Sequence, residues 1–251
     1  MIRVIMRGCN GKMGREISRL IENEVDIKIV AGVDRNKAED LNYPVYTSFI
    51  ECNVDADVII DFSSPVHIDE MLNYAKDNKL PIVLCTTGLS DEDLSLVYES
   101  SKDIAILRSA NMSLGINTMV KLIKEATRVL ANADFDIEIV EKHHNQKIDA
   151  PSGTALYLAD AMNEVLEEDY IYKYDRTADT KKREKKEIGI LPVRGGSIIG
   201  EHEVIFAGLD EVIEIKHTAY SRAIFAKGAI AAAKFLAGKG PGMYQMSDVI
   251  G

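Results

Sequence analysis

The feature that most constrains this chain is the position of GCNGKMG (residues 8–14). It directly follows the apolar run IRVIM (2–6) and opens a segment in which Met13, Ile17, Leu20 and Ile21 recur at helical spacing. A strand that turns through glycines into an amphipathic helix belongs to few architectures, and the next hundred residues narrow them further. IKIVAGV (27–33), DVIIDF (57–62), PIVLCTT (81–87) and IAILRSA (104–110) are nearly continuous in apolar content, as strands buried on both faces must be. Between the third and fourth of these five strands a helix is expected to carry Val66, Ile68, Met71, Leu72 and Ala75 on its inner side, and IAILRSA is expected to be the last strand of the series. The reading is an α/β domain, Rossmann-like, with a doubly wound parallel sheet.

After Asn111 the pattern changes. A long helix through MVKLIKEATRVLA (119–131) leads into FDIEIVE (135–141), where Phe135, Ile137 and Ile139 alternate with acidic residues. SIIGEHEVIFAGLDEVIEIKHTAY (197–220) reads as two alternating strands joined by a hairpin-like connection at Gly208–Glu211. A second, smaller α+β domain with an open mixed sheet is therefore expected at 113–219. The first domain takes 1–112 and 220–251, because AIFAKGAIAAAKFLAG (223–238) is helical and can return to it. Hinges are expected near Ser113–Gly115 and Ala219–Arg222. The basic segment KYDRTADTKKREKKEIG (173–189) reads as a solvated mobile loop rather than a nucleic-acid patch, since it lacks interleaved aromatics.

Composition excludes several functions. The net charge of −10 argues against nucleic acid as a partner. No run of about 18 apolar residues marks a membrane span, and no secretion signal is read at the N-terminus. Cys9, Cys52 and Cys85 are odd in number and form no CxxC pair, so neither a disulfide framework nor structural zinc is expected, and the expected location is the cytoplasm.

In the glycine loop, Gly8 permits a tight turn, Gly11 lets backbone amides approach a pyrophosphate, and Gly14 allows close packing of helix on strand. The spacing is GxxGxxG, so Asn10 stands where the commoner fingerprint has a glycine, and asparagine tolerates left-handed backbone better than most residues. Asp34 ends the second strand, where a carboxylate meets adenosine ribose hydroxyls, and the guanidinium of Arg35 beside it can accept a 2′-phosphate. The pair predicts NADH or NADPH as cofactor, with NADH slightly favoured. CTTG (85–88) and SANMS (109–113) follow strands at their C-terminal ends, which places Thr86, Thr87 and Asn111 to meet a nicotinamide.

The stretch EKHHNQKIDAPSGTA (141–155) supplies chemistry of a different kind. His143 and His144 lie at a strand end without the HExxH spacing or cysteine partner of a zinc site, so no metal is expected. Asp149 or Ser152 can cap a helix beginning at Gly153 and Thr154, with Leu156, Leu158, Ala159, Met162 and Val165 as its core stripe. Free amides at that N-terminus form an anion site suited to a carboxylate. Lys147 adds a cation and a possible proton donor, and His143 can exchange a proton near neutral pH. Together they suit an acidic substrate that receives a hydride and then a proton.

The string EIVEKHHNQKIDAPSGTA resembles the hallmark of the 4-hydroxy-tetrahydrodipicolinate reductase (dihydrodipicolinate reductase) family. GCNGKMG, DFSSP, CTTG, SANMSLGIN, VRGGSIIGEHEVIFAG and SRAIFAKGAIAAAKFLAG are similar to family segments in the same order, so the resemblance covers nearly the whole chain. It implies NAD(P)H-dependent reduction of a small cyclic dicarboxylate, with loss of water, in lysine and diaminopimelate synthesis. It implies a Rossmann-like domain built from both termini, a second domain supplying substrate and subunit contacts, and a homotetramer. By motif, His143 is the implied proton donor or acceptor and Lys147 the donor to the reduced ring, while His144, Gly153 and Thr154 bind substrate. The implied cofactor contacts are Gly8, Cys9, Asn10, Gly11, Lys12, Met13, Asp34, Arg35, Cys85, Thr86, Thr87, Ser109, Ala110, Asn111 and Met112. Two departures stand out: Cys85 replaces a glycine common before Thr-Thr, and TADTKKREKKEIG lacks the usual glycine and arginine arrangement. Rivals are another two-domain dehydrogenase, such as an aspartate or homoserine dehydrogenase, and a nucleotide sensor without turnover.

Overall fold

A computed structural model describes residues 1–37 and 40–251. The chain divides into two compact units, Met1–Leu114 with Ala223–Gly251, and Gly115–Arg222. These boundaries fall two and three residues later than those read from the sequence. The first unit runs β1 (Ile2–Arg7), α1 (Lys12–Ile21), β2 (Ile27–Val33), β3 (Val45–Tyr46), β4 (Val58–Asp61), α2 (Ile68–Asp77), β5 (Ile82–Leu84), α3 (Asp91–Ser100) and β6 (Ala105–Arg108). Next come α4 (Leu114–Leu130), β7 (Asp136–His143), α5 (Gly153–Asn163), β8 (Ile171–Lys173), β9 (Glu187–Arg194), β10 (Gly200–Ala207) and β11 (Val212–Ala219). The chain re-enters the first unit with α6 (Ala223–Leu236), β12 (Gly242–Tyr244) and α7 (Met246–Ile250).

Seven parallel strands form the first sheet in the order β12-β6-β5-β4-β1-β2-β3. Apolar residues pack on both faces, which explains the absence of alternation in the sequence. Val4, Met6 and Ile60 meet α1 and α6 through Ile17 and Ala229, whereas Ile5, Ile59 and Ile82 meet α2 through Met71, Leu72 and Ala75. The winding direction reverses between β1 and β4, and the carboxyl ends of those strands open the crevice in which such sheets place ligands.

IAILRSA (β6) does end the series within the first 110 residues, and the sheet gains one further strand, β12, from the returning C-terminal segment; only three residues long, it gives no periodic signal. One expectation needs correction here. Val66 does not belong to the inner stripe of α2: it is 63% exposed and precedes a helix that starts only at Ile68.

The second unit carries a five-stranded mixed sheet, β11-β10-β7-β9-β8. β10 is antiparallel to both β7 and β11, while β9 runs parallel to β7 and β8. Its inner face packs against α4 and α5 through Ile137, Ile139, Ile188, Ile190, Val204 and Phe206 with Met119, Ile123, Leu158 and Met162. Helix α5 ends at Asn163, so Val165 lies outside the stripe assigned to it. The basic segment is largely exposed, as expected, and both of its arginines are paired. Arg183 donates to Asp136, Glu138 and the carbonyls of Ile137 and Glu187, and Arg176 bridges Glu138 and Glu187. Composition identified the charge of these side chains but not that carboxylates of β7 and β9 stand within their reach.

Among the described residues no helix is long and apolar enough to cross a membrane, and no group of three or more His, Cys, Asp or Glu could hold a metal ion.

Candidate active site

In the first unit, Gly8 takes φ +80°, a conformation that only glycine adopts at little cost, and a Cβ there would lie 2.4 Å from the Phe62 carbonyl oxygen. The turn delivers Gly11 as the N-cap of α1, without any side-chain cap. A Cβ on Gly14 would come within 2.2 Å of the Gly8 oxygen and 2.7 Å of the Cys9 Cα, so α1 sits against the turn because that residue has no side chain. Asn10 is not in the left-handed region, contrary to expectation. Its backbone N–H instead donates to Asp34 Oδ2 at 3.0 Å and its side-chain amide to the Asn36 carbonyl, so Asp34 holds the loop in place.

A cavity of about 780 Å³ opens there, within the size range of cofactor sites. Gly8, Asn10, Gly11, Asp34 and Arg35 line it, together with Ser63, Ser64 and His67, which the sequence reading did not single out. Glycines without Cβ atoms, a helix start without a side-chain cap and an adjacent carboxylate fit the pyrophosphate and ribose of a dinucleotide.

The other expected cofactor residues lie elsewhere. Lys12 is exposed and Met13 half-buried in the first turn of α1, while Cys9 is fully buried, so only its backbone can face a ligand. Cys85 packs against the core cluster of α1 and α6. Thr86 is buried, its hydroxyl donating to Asp61 Oδ2 at 2.7 Å. Thr87 and Ala110 are exposed, Ser109 is half-buried, and Met112 is buried. Asn111 accepts the Ser113 N–H at 2.8 Å. Beneath this surface the fully buried Asp61 pairs with Arg7, which also donates to the Val66 carbonyl. The pair fixes the ends of β1 and β4, and nothing in the local sequence pattern marks it.

In the second unit the alternation of β7 carries the chemistry. The inward row is Ile137, Ile139, Glu141, His143; opposite them in register on β10 stand Phe206, Val204 and His202, with Gly200 next in that strand's inward row. The same face thus changes from apolar to ionisable along its length. Parallel pairing sets Arg194 of β9 beside His143. Glu141, fully buried, accepts two hydrogen bonds from Arg194 (Nη2 to Oε1 2.7 Å, Nη1 to Oε2 2.8 Å), the Ser152 N–H (2.9 Å) and His143 Nδ1 (2.5 Å). Burial pushes the Glu141 carboxyl up, but Arg194, His143 and the Ser152 amide outweigh it and hold the group below its usual range.

Ser152 caps α5, accepting the Ala155 N–H, and its hydroxyl meets His202 Nε2 at 3.1 Å. Gly153 and Thr154 form the first turn of that helix. Lys147 pairs with Asp149 at 2.8 Å, and Arg194 also donates to the Asp149 carbonyl. His144 is half-buried, and its carbonyl accepts the Lys147 N–H. His143, Lys147 and the α5 start are therefore joined through Glu141, Arg194 and Asp149. Burial lowers the His143 pKa, which Glu141 opposes and Lys147 and Arg194 reinforce; His202, buried beside it, is pushed down to about 4. Both rings are neutral near physiological pH. Sequence reasoning missed Glu141, Arg194 and His202. The signal was present in the parity of β7, which puts residue 141 on the same side as Ile137 and Ile139.

Comparison with known proteins gives a consistent result. Residues 2–112 match the family model described as dihydrodipicolinate reductase, N-terminus, and residues 115–250 match the corresponding C-terminus model. The chain is 52% identical over 250 residues to the 4-hydroxy-tetrahydrodipicolinate reductase of Clostridium novyi (strain NT), covering 100% of this chain and 98% of that protein. It is 54% identical to the protein of the same name from Caldanaerobacter subterraneus subsp. tengcongensis, with the same coverage. A solved dihydrodipicolinate reductase from Paenisporosarcina sp. TG-14, with dipicolinate bound, superposes with a TM-score of 0.78 at 26% identity, covering 98% of this chain and 97% of that one.

Proposed function

The chain belongs to the dihydrodipicolinate reductase family, and from that membership and the site geometry we propose that it reduces 4-hydroxy-tetrahydrodipicolinate to tetrahydrodipicolinate, with loss of water, in lysine and diaminopimelate synthesis. It is an oxidoreductase that uses a pyridine nucleotide and acts on a small molecule. The observation that carries the reading is the convergence of His143, Lys147 and the Ser152-capped start of α5 on one buried carboxylate network.

The first unit is the dinucleotide-binding domain, with Gly8 to Met13 at the phosphates and Asp34 and Arg35 at the adenosine ribose. Cys85, Thr86, Thr87 and Ser109 to Met112 stand on the nicotinamide side. A reduced nicotinamide held by these residues would supply the hydride, directed to ring C4 of the substrate. The amides of Gly153 and Thr154, aided by His144, hold a substrate carboxylate, since a helix start favours negative charge. Lys147 delivers the proton to the reduced ring, assisted by His143. Asp34 and Arg35 together support use of both NADH and NADPH, with NADH slightly favoured. The second unit carries the substrate site and the contacts of a homotetramer in the cytoplasm.

The test is to follow loss of NADH, then of NADPH, with enzymatically generated substrate. Oxidation of either, with none on aspartate-pathway carbonyl substrates, is expected. Nucleotide binding without turnover would instead favour a sensor.

A further inference from the structure

The four hydrogen bonds to Glu141 determine more than its own charge. An ionised carboxylate is acceptor-only, with about four lone-pair sites on two oxygens. Oε1 receives Arg194 Nη2 and the Ser152 N–H, and Oε2 receives Arg194 Nη1 and His143 Nδ1. A guanidinium and a backbone amide can only donate, so three of the four contacts fix the group as an acceptor and the fourth must be a donor too. His143 Nδ1 therefore carries the hydrogen. As the ring is neutral, Nε2 is left with its lone pair. That nitrogen makes no hydrogen bond among the described residues, and the space beside it is kept by Gly200, where a Cβ would approach to 3.2 Å. The charged or titratable groups facing the imidazole are Glu141 on its own strand, Lys147 from the segment before α5, Arg194 from β9 and His202 from β10.

We propose that Glu141, clamped by Arg194, is the positioning residue of this reaction: it locks His143 as the Nδ1–H tautomer with Nε2 offered to the substrate, and it ties that ring to the start of α5. The proposal rests on the role given to His143 above and makes it specific. His143 works at Nε2 as an acceptor, taking a hydrogen bond from the substrate side or from the Lys147 ammonium and so orienting the proton that Lys147 delivers. The same carboxylate binds the Ser152 N–H one residue before Gly153, so the acceptor nitrogen and the carboxylate-binding amides share one rigid anchor. This is the logic by which a buried acid orients a catalytic imidazole.

The experiment is ring-nitrogen NMR on histidine-labelled protein, with the His143 resonances assigned by their loss in His143→Asn, alongside steady-state kinetics. Wild type is expected to show the Nδ1–H tautomer. In Glu141→Gln the amide keeps the side chain's shape but must present an N–H₂ group where an oxygen stood. Directed at His143 Nδ1, it reverses the tautomer to Nε2–H, and kcat falls about 10²-fold or more while the nucleotide KM stays unchanged. Glu141→Asp keeps a carboxylate and is expected to retain the Nδ1–H form with part of the activity. If Glu141→Gln alone folds poorly because Arg194 is left unpaired, the double variant Glu141→Gln, Arg194→Met removes that cation and the reversal should persist. An Nε2–H tautomer in wild type, or Glu141→Gln with undiminished kcat, overturns the proposal. Near-normal turnover in His143→Asn would overturn the reading of His143 itself, a separate outcome.

Discussion

Two helix starts in this molecule are built in different ways. Helix α1 begins at Gly11 without a side-chain cap, behind a turn whose shape depends on missing Cβ atoms at Gly8 and Gly14. Helix α5 begins at Ser152, which caps it, and is surrounded by Glu141, Arg194, His202 and the Lys147–Asp149 pair. The first is a surface of backbone, defined by what cannot be added to it. The second is a network of charge, defined by what cannot be taken away. A nucleotide phosphate needs only space and oriented N–H groups, which do not titrate in the physiological range. A substrate that must gain a proton needs groups that can hold and move one. The two sites should therefore fail differently.

The largest effect is expected in the charge network. Lys147→Ala should lower kcat by about 10²- to 10⁴-fold, the range for loss of a general acid, and leave the nucleotide KM unchanged. Steady-state kinetics with both substrates varied decides it, and near-normal turnover would remove Lys147 from the proton path. Gly14→Ala tests the other site. The added methyl meets only backbone within 2.8 Å, so nothing flexible can yield and α1 must shift. We expect a loss of about 1–3 kcal/mol of stability, as for overpacked sites, and a raised nucleotide KM with little change in kcat. A kcat defect as large as that of Lys147→Ala would break the distinction between the two sites.

Acid should affect the charge network next. His202 has its pKa lowered from 6.5 to about 4 by burial first and by His143 second, and His143 and His217 shift the same way. The unfolded chain therefore binds these protons first as pH falls. The stabilising contribution is complete above about pH 6.5 and is lost progressively toward pH 4, up to about 3 kcal/mol for His202 alone. Denaturant melts across that window measure the loss. His202→Gln, which keeps an acceptor for Ser152 but does not titrate, should flatten it, and an unchanged slope would show that His202 is not the group responsible.

The sequence displays these two sites unequally. The glycine turn is local, with strand, turn and helix start adjacent in the chain, so GCNGKMG and Asp34 could be read directly. His143, Lys147 and the Pro-Ser-Gly-Thr start of α5 were legible for the same reason. Arg194 and His202 lie more than fifty residues from His143, and only the pairing of β9 and β10 with β7 brings them there. The Arg7–Asp61 pair was hidden in the same way, across fifty-four residues. β3 and β12, of two and three residues, are too short to show a period and are held by their neighbours in the sheet. Glu141 is the instructive case, because the alternation that identified β7 as a strand also placed this residue inside.

A smaller effect concerns Arg35, a side-chain charge that the first unit is expected to use. Arg35→Ala should raise the KM for NADPH about tenfold, the equivalent of one lost charge-assisted contact, and leave NADH nearly unaffected. Equal effects on both nucleotides would mean that Arg35 does not read the 2′-phosphate.

The smallest effect tests whether shape alone governs the nucleotide cavity. His67 lines its wall and precedes α2 with φ +60° and ψ +35°, a left-handed conformation that costs a non-glycine residue about 1–2 kcal/mol. Its side chain makes no capping hydrogen bond to the helix it starts. His67→Gly relieves the strain but frees the unfolded chain, at a cost of about 0.4–1 kcal/mol, so a net gain between zero and about 1.6 kcal/mol, centred on about 1 kcal/mol, is expected. In a chain of this length that is a rise of roughly 2 °C in Tm. If the cavity binds through its backbone, the KM for nucleotide should not move when the imidazole is removed. A rise of Tm together with a severalfold rise in that KM would show instead that the strained residue is held in place for its side chain, and the contrast between the two helix starts would then be one of degree.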